Sequence, residues 1–82
     1  MKKITSRDQI LTALTYLQLK DGSLDSEELR LMLHIRDYET FGELMSAIHK
    51  KAYVSNVVSS DGYRVYLLPR GQQLVKSTRT RH

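Results

Sequence analysis

The chain has 82 residues, a formal net charge of +4 and no cysteine, so it has room for one small hydrophobic core and forms neither disulfides nor cysteine-ligated zinc. Two lysines near the N-terminus are not followed by an apolar run, and no segment reaches the roughly 18 apolar residues of a membrane span. We therefore expect a single domain over residues 1–82 of a cytoplasmic protein, with residues 1–5 and 77–82 frayed.

Charge is distributed unevenly along the chain. Basic residues outnumber acidic ones by four to one in residues 1–20 and by seven to one in residues 50–82, giving net charges of +3 and +6. Residues 21–49 carry two basic and seven acidic side chains, a net charge of −5. A polyanionic partner is therefore expected to bind through the two ends of the chain rather than through its middle.

The first predicted element is a capped amphipathic helix. The stretch "SRDQILTALTYLQLKDG" opens with Ser6 and has Gln9 three residues later, which is a capping box. Apolar residues then recur at helical spacing, which predicts a helix over Arg7–Lys20. Gly22 suits the left-handed conformation that ends many helices.

Two more helices follow in close succession. Asp25 is predicted to cap a short helix over Ser26–His34, with Ile35 as a buried turn residue. The stretch "RDYETFGELMSAIHKKAYV" predicts a third helix, capped by Asp37 or Thr40. Its apolar face has helical spacing and consists of Phe41, Leu44, Met45 and Ile48.

The hydrophobic period then changes from 3.6 to 2, which predicts a β-hairpin. The runs "YVSNVV" and "YRVYLL" flank Asp61-Gly62, a strong signal for a two-residue turn that would place Ser60 opposite Tyr63 and Val58 opposite Val65. Alternation predicts a core face with Val58, Val65 and Leu67, and an outer face with Ser59, Arg64 and Tyr66.

Pro69 is suited to begin a short closing helix with Leu74 and Val75 inside. The predicted fold class is α+β, with three helices, a two-stranded hairpin and a short C-terminal helix. This order resembles the winged helix-turn-helix of MarR- and PadR-like DNA-binding regulators. The resemblance covers about Ser23–Val75 and rests on "SEELRLMLHI", "AYV" and the wing pattern formed by Asp61, Arg64, Val65, Leu67, Gly71 and Leu74.

Three positions depart from the family pattern. One extra residue separates Asp61 from Arg64, and Ala52 stands where these families usually have a glycine. The third helix, which resembles a recognition helix, carries Glu39 and Glu43 where such helices often present basic or neutral polar groups.

The resemblance implies a bacterial or phage transcription regulator that binds double-stranded DNA, with a homodimer as one arrangement. The third helix would enter the major groove, while the wing and the basic C-terminal segment would hold phosphates. The candidate DNA-binding residues are Thr40, Ser46, His49, Lys50, Lys51, Arg64, Tyr66 and Arg70. Tyr63 is expected to be a core or rim aromatic instead.

Other classes of function have less support in the sequence. The histidines, at positions 34, 49 and 82, are too scattered for a metal site, and no cofactor or small-molecule ligand is expected. The chain has no phosphate-cradling glycine loop and no nucleophile with a paired base, so we do not expect an enzyme. The acidic middle of the chain leaves a second hypothesis open: a winged-helix module, such as an adaptor or anti-repressor, that binds a basic protein surface. Binding of double-stranded RNA by the basic ends also stays open.

Overall fold

The computed structural model describes residues 7–60 and 62–79, which form four helices and three short strands. The helix-turn-helix, the hairpin and the closing helix confirm the predicted winged helix-turn-helix fold. In chain order the elements are α1 (Arg7–Leu19), β1 (Ser23–Asp25), α2 (Ser26–Met32), α3 (Tyr38–Lys50), β2 (Val54–Ser59), β3 (Gly62–Leu67) and α4 (Pro69–Arg79).

Three predicted boundaries are wrong. Helix α1 ends at Leu19, one residue before the predicted end. Helix α2 ends at Met32, two residues before the predicted end, because His34 adopts a left-handed φ of 60°. Helix α4 continues to Arg79, so residues 77–79 are helical rather than frayed. The predicted fraying of residues 1–5 and 80–82 and the capping role of Ser6 lie outside the described residues.

Strand β1 was not predicted, and it completes an antiparallel sheet of order β1-β3-β2. It pairs Ser23 with Tyr66 and Leu24 with Val65. Three residues are too short to give an alternation signal, so tertiary pairing rather than sequence period defines this strand. Its last residue, Asp25, caps α2 as predicted by accepting a hydrogen bond from the backbone N–H of Glu27 at 3.1 Å.

The predicted hairpin register is wrong by two residues. Ser59 pairs with Gly62 and Val58 with Tyr63, so the connection is residues 60–61, of which residue 61 lies outside the described part of the chain. The observed register sets Val54 opposite Leu67, and both are buried, so core packing outweighs the turn preference of Asp61-Gly62.

A shift of two residues preserves which side chains share a face. Val65 and Leu67 therefore lie on the core face as predicted, while Arg64 and Tyr66 point to the opposite side. Val58 shares the core face but is 82% exposed, because it pairs close to the hairpin end, beyond the reach of the core.

The core lies between the helices and the inner face of the sheet. The apolar face predicted for α3 is buried in full, and Ile35 is buried in the turn before it, both as predicted. The buried apolar residues of the described chain are Ala13, Leu14, Leu17, Leu24, Leu29, Ile35, Phe41, Leu44, Met45, Ile48, Val54, Val65, Leu67 and Val75.

Left-handed residues end the first three helices. After α1 the left-handed position is held by Asp21, with a φ of 63°. The predicted residue, Gly22, comes one position later with a φ of 93°, and its backbone N–H donates to the Leu17 carbonyl at 2.7 Å. Ala52 has a φ of 60° after α3, where the backbone N–H of Ala52 donates to the carbonyl of His49 and that of Tyr53 to the carbonyl of Ile48. This is the Schellman motif, which usually holds glycine at the left-handed position.

Helix α4 packs closely on the start of the hairpin. The backbone N–H of Leu68 donates to the Tyr53 carbonyl at 2.9 Å. A Cβ at Gly71 would lie 2.5 Å from the Tyr53 carbonyl oxygen, so only glycine allows this approach. The glycine of the predicted wing pattern therefore fixes α4 against the hairpin.

Candidate nucleic-acid interface

Helix α3 is capped at its N-terminus in a way that occupies one predicted contact residue. The Asp37 side chain accepts hydrogen bonds from the Thr40 backbone N–H at 2.9 Å and from the Thr40 hydroxyl at 2.7 Å. Asp37 is thus the cap, one of the two candidates from the sequence. The Thr40 hydroxyl is engaged within the chain and lies a full turn or more from the predicted contacts on the rest of α3.

An open cleft separates α3 from the hairpin, with a volume of about 530 Å³. We call it the α3–hairpin cleft, and it is lined by Gly42, Met45, Ser46, His49, Lys50, Asn56 and Tyr63. It brings together three of the predicted residues, Ser46, His49 and Lys50. Asn56 and Tyr63 were not predicted to contribute, although strand alternation already places both on the α3 side of the hairpin, with Val65.

The chemistry of the α3–hairpin cleft is that of hydrogen-bond donors. Ser46, Asn56 and Tyr63 offer a hydroxyl, an amide and a phenol, and Lys50 adds a positive charge, while no carboxylate of residues 7–60 and 62–79 lines the cleft. Partial burial raises the pKa of the Tyr63 phenol. Like other tyrosine phenols, this group is protonated at neutral pH and able to donate a hydrogen bond. The cleft therefore suits an anionic or otherwise electron-rich ligand.

The two predicted wing contacts lie on the other face of the hairpin. The Arg64 Nε donates to the Ser23 hydroxyl at 3.1 Å, and the strand partner of Arg64 is the acidic Asp25. Tyr66 pairs with Ser23 on one side and Ser55 on the other. Arg64 and Tyr66 thus form an outer patch that strand β3 separates from the α3–hairpin cleft.

Lys51 and Arg70, the last two predicted contacts, lie elsewhere. Lys51 is the C-cap of α3 and lines a shallow depression with Ile10 of α1 and Leu74 of α4. Arg70 is exposed in the first turn of α4. The predicted site residues therefore fall into separate groups, and only the cleft group shares one concave surface.

The side chain of Arg30 stabilises the turn between α2 and α3. The Arg30 guanidinium pairs with the Glu27 carboxylate at 2.7 Å, donates to the Ile35 and Arg36 carbonyls at 2.8 and 3.1 Å, and lies 4.4 Å from the ring centroid of Tyr38. The hydrogen bonds from Arg30 lower the pKa of the Glu27 carboxyl. These contacts hold α3 in place relative to α2, and the only signal for them in the sequence is the i, i+3 spacing of Glu27 and Arg30.

The outward face of α3 also carries acidic side chains. Glu39 and Glu43 are exposed, and neither makes an ion pair with any residue that the structure describes. Tyr38 at the start of α3 and Leu31 on α2 are 65% and 61% exposed. The helix-turn-helix thus exposes both acidic and apolar side chains.

Within residues 7–60 and 62–79 there is no candidate metal site and no candidate membrane span. No three histidine, aspartate or glutamate side chains gather there in a way that could hold a metal ion. None of the helices in these ranges is long and apolar enough to cross a membrane.

Known structures define the class of fold to which the chain belongs. F93 from STIV, described as a winged-helix DNA-binding protein, is similar with a TM-score of 0.73 at 16% identity, over 95% of this chain and 88% of that one. A MarR family protein from Bacillus stearothermophilus is similar with a TM-score of 0.73 at 23% identity, over 90% of this chain and 51% of its own. The fold is a winged helix-turn-helix, as the resemblance in the sequence implied.

A third similar structure is MepR, a transcription regulator of the Staphylococcus aureus multidrug efflux pump MepA. It has a TM-score of 0.73 at 21% identity, over 89% of this chain and 55% of MepR. The chain therefore spans about half the length of MepR and of the MarR family protein. No protein-family model and no curated protein matches the sequence.

Proposed function

We propose that this chain binds double-stranded DNA and regulates transcription. The observation that carries the proposal is the outward face of α3, which is polar and exposed beside a hairpin in a winged-helix fold. The major groove of B-DNA is about 12 Å wide and admits such a helix. The descriptions of F93 as a DNA-binding protein and of MepR as a transcription regulator support the same function.

In the proposed complex α3 enters the major groove. Ser46 and His49 reach base edges, and Lys50 reaches a phosphate. The hairpin and the basic C-terminal segment, with Lys51 and Arg70, contact the backbone on either side. A homodimer formed through α1 or the C-terminal segment would read a two-fold symmetric site.

The test is fluorescence polarisation with a mixed-sequence DNA duplex, titrated at several salt concentrations. Contacts to about four to six phosphates give a slope of log affinity against log salt of about −4 to −5. Micromolar binding that weakens on the order of 10²–10³-fold between 50 and 200 mM salt is therefore the expected result. Replacement Lys50→Ala should reduce the magnitude of the slope by about 1.

A matched control removes a lysine on another element. Lys20→Ala makes the same change in net charge at the end of α1 and should leave the slope closer to that of the unmodified protein. Absence of DNA binding at 50 mM salt would contradict the proposed function. Equal effects of the two lysine replacements would contradict docking through α3.

The acidic surface of the helix-turn-helix supports a second candidate function, a module that binds protein. Glu39 and Glu43 are unpaired within the described chain, and Leu31 and Tyr38 are exposed on the same motif. A basic partner with an apolar rim would complement such a surface. Reversal of the charges at Glu39 and Glu43 separates the two candidates, because it would favour DNA binding and disrupt binding to a basic protein surface.

A further inference from the structure

Gly42 destabilises α3, and no contact within the described residues requires a glycine there. It lies inside α3, where glycine is less favourable than alanine by about 1 kcal/mol. A Cβ built at Gly42 meets no atom within 4 Å, so no neighbouring backbone in the described chain requires the glycine. Its bare backbone is exposed and lines the α3–hairpin cleft. Something outside the chain is therefore the candidate for a close approach to this helix.

The cleft wall opposite Gly42 is made by the hairpin. Asn56 on β2 and Tyr63 on β3 share the hairpin face that carries Val65, and both line the cleft. Together with Ser46, His49 and Lys50 they surround an open space with donors and one positive charge. Glu39 and Glu43 are not among the lining residues, although both lie on α3 within one turn of Gly42.

The opposite hairpin face is less suited to an anion. The guanidinium of Arg64 is bonded to Ser23, and the strand partner of Arg64 is Asp25. An anion that approaches Arg64 would also meet the nearby carboxylate, which would repel it. The two faces of one hairpin thus differ in their capacity to receive a phosphate.

We propose that a segment of the DNA sugar–phosphate backbone is seated in the α3–hairpin cleft, against the bare backbone of Gly42, with hydrogen bonds from Asn56 and Tyr63. The inference rests on the proposed function and specifies which face of the wing takes part. The cleft volume of about 530 Å³ is within the range of roughly 300–1,000 Å³ found for small-ligand sites, so a nucleotide unit fits. Tyr63 and Asn56, rather than Arg64 and Tyr66, are the wing residues that contact DNA.

The first experiment compares two tyrosines on the same strand. Tyr63→Phe and Tyr66→Phe each remove one hydroxyl, from the cleft face and the outer face respectively. Loss of a hydrogen bond to a phosphate should weaken duplex binding by roughly tenfold for Tyr63→Phe, and Tyr66→Phe should bind like the unmodified protein. The salt slope should be unchanged in both, because neither replacement alters charge.

The second experiment makes stability and affinity move in opposite directions. Gly42→Ala should raise the thermal midpoint, because alanine is the better helix former and its methyl group meets no atom of the described residues. The same methyl group fills the wall of the cleft and should weaken DNA binding by roughly tenfold. A replacement that only perturbed the fold would lower both quantities together.

The outcomes distinguish this inference from the proposed function. If the unmodified protein binds duplex DNA while Tyr63→Phe and Gly42→Ala bind equally well, the cleft is not the seat of the backbone and the proposed function stands. If Tyr66→Phe loses affinity instead of Tyr63→Phe, the outer face is the DNA contact. If the unmodified protein does not bind DNA at 50 mM salt, both proposals fail. Thermal unfolding of each variant establishes that the changes in affinity are not caused by loss of fold.

Discussion

Ala52 holds a backbone conformation that an alanine adopts at a cost. Its φ of 60° closes the Schellman motif after α3, and its side chain is exposed. The left-handed conformation costs an L-residue with a Cβ roughly 1–2 kcal/mol, partly offset by the greater freedom of glycine in the unfolded chain. Glycine at this position is common in the families that the sequence resembles, and the geometry supplies the reason.

Replacement Ala52→Gly should therefore stabilise the protein by about 0.5–1 kcal/mol, measured as the free energy of unfolding in urea. Ala47→Gly is the matched control, because Ala47 lies inside α3 and is not left-handed. That replacement should destabilise the protein by about 1 kcal/mol. Destabilisation by both replacements would show that the turn after α3 does not carry strain.

At the scale of elements, α4 depends on close contact with the hairpin. Gly71→Ala would place a methyl group 2.5 Å from the Tyr53 carbonyl oxygen and 2.7 Å from the Leu67 Cδ1. The helix must shift or the hydrogen bond between Leu68 and Tyr53 must lengthen, at a cost of about 1–3 kcal/mol. The urea midpoint should fall accordingly, whereas Gly42→Ala, the same change in an open position, should raise it. A neutral Gly71→Ala would mean that α4 is free to move on the hairpin.

The elements show why part of this fold could be predicted and part could not. The buried face of α3 could be predicted because its four apolar residues recur at helical spacing. The N-cap of α2 at Asp25 could be predicted because aspartate is a preferred capping residue. The hairpin register was not, because turn preference favoured Asp61-Gly62 while packing of Val54 against Leu67 decided the pairing. Local signals predict elements, and long-range packing sets how they pair.

The candidate site followed the same division. The exposure of Ser46 and His49 could be predicted, because it follows directly from the position of the buried face of α3. Tyr63 could not, because its place beside α3 depends on how the hairpin lies on the helix bundle. The hydrogen bond of Arg64 to Ser23 could not be predicted either, because it involves β1, a strand with no sequence signal of its own. Contacts between elements distant in sequence are the ones that composition and period leave undetermined.

At the scale of the whole molecule, the charge on α3 opposes the charge of the chain. The protein carries a net charge of +4, but the helix proposed to enter DNA presents Glu39 and Glu43 without ion pairs in the described chain. These carboxylates repel phosphates and lower non-specific affinity, while a carboxylate can accept a hydrogen bond from a cytosine amino group. We therefore expect weak non-specific binding to DNA together with a preference for particular base sequences.

Reversal of both charges, Glu39→Lys with Glu43→Lys, should strengthen binding to a mixed-sequence duplex and steepen the salt slope by up to about 1.8. The control is Asp8→Lys with Glu28→Lys, which makes the same change in net charge on α1 and α2. Polarisation titrations at 50–200 mM salt measure both. If DNA binding does not respond while a pull-down with a protein partner is lost, the acidic surface serves protein binding instead.

Successive side chains of strand β3 point to opposite faces of the sheet. Val65 and Leu67 point into the core, Tyr63 lines the cleft, and Arg64 and Tyr66 face the open side. In a library randomised at these five positions, selection for folding and selection for DNA binding should therefore act on different residues. A screen for folded protein should retain apolar residues at positions 65 and 67. A screen for DNA binding should in addition retain tyrosine at position 63. Positions 64 and 66 should keep the widest choice of amino acids, which leaves the open face of the hairpin free to acquire a new partner without loss of the fold.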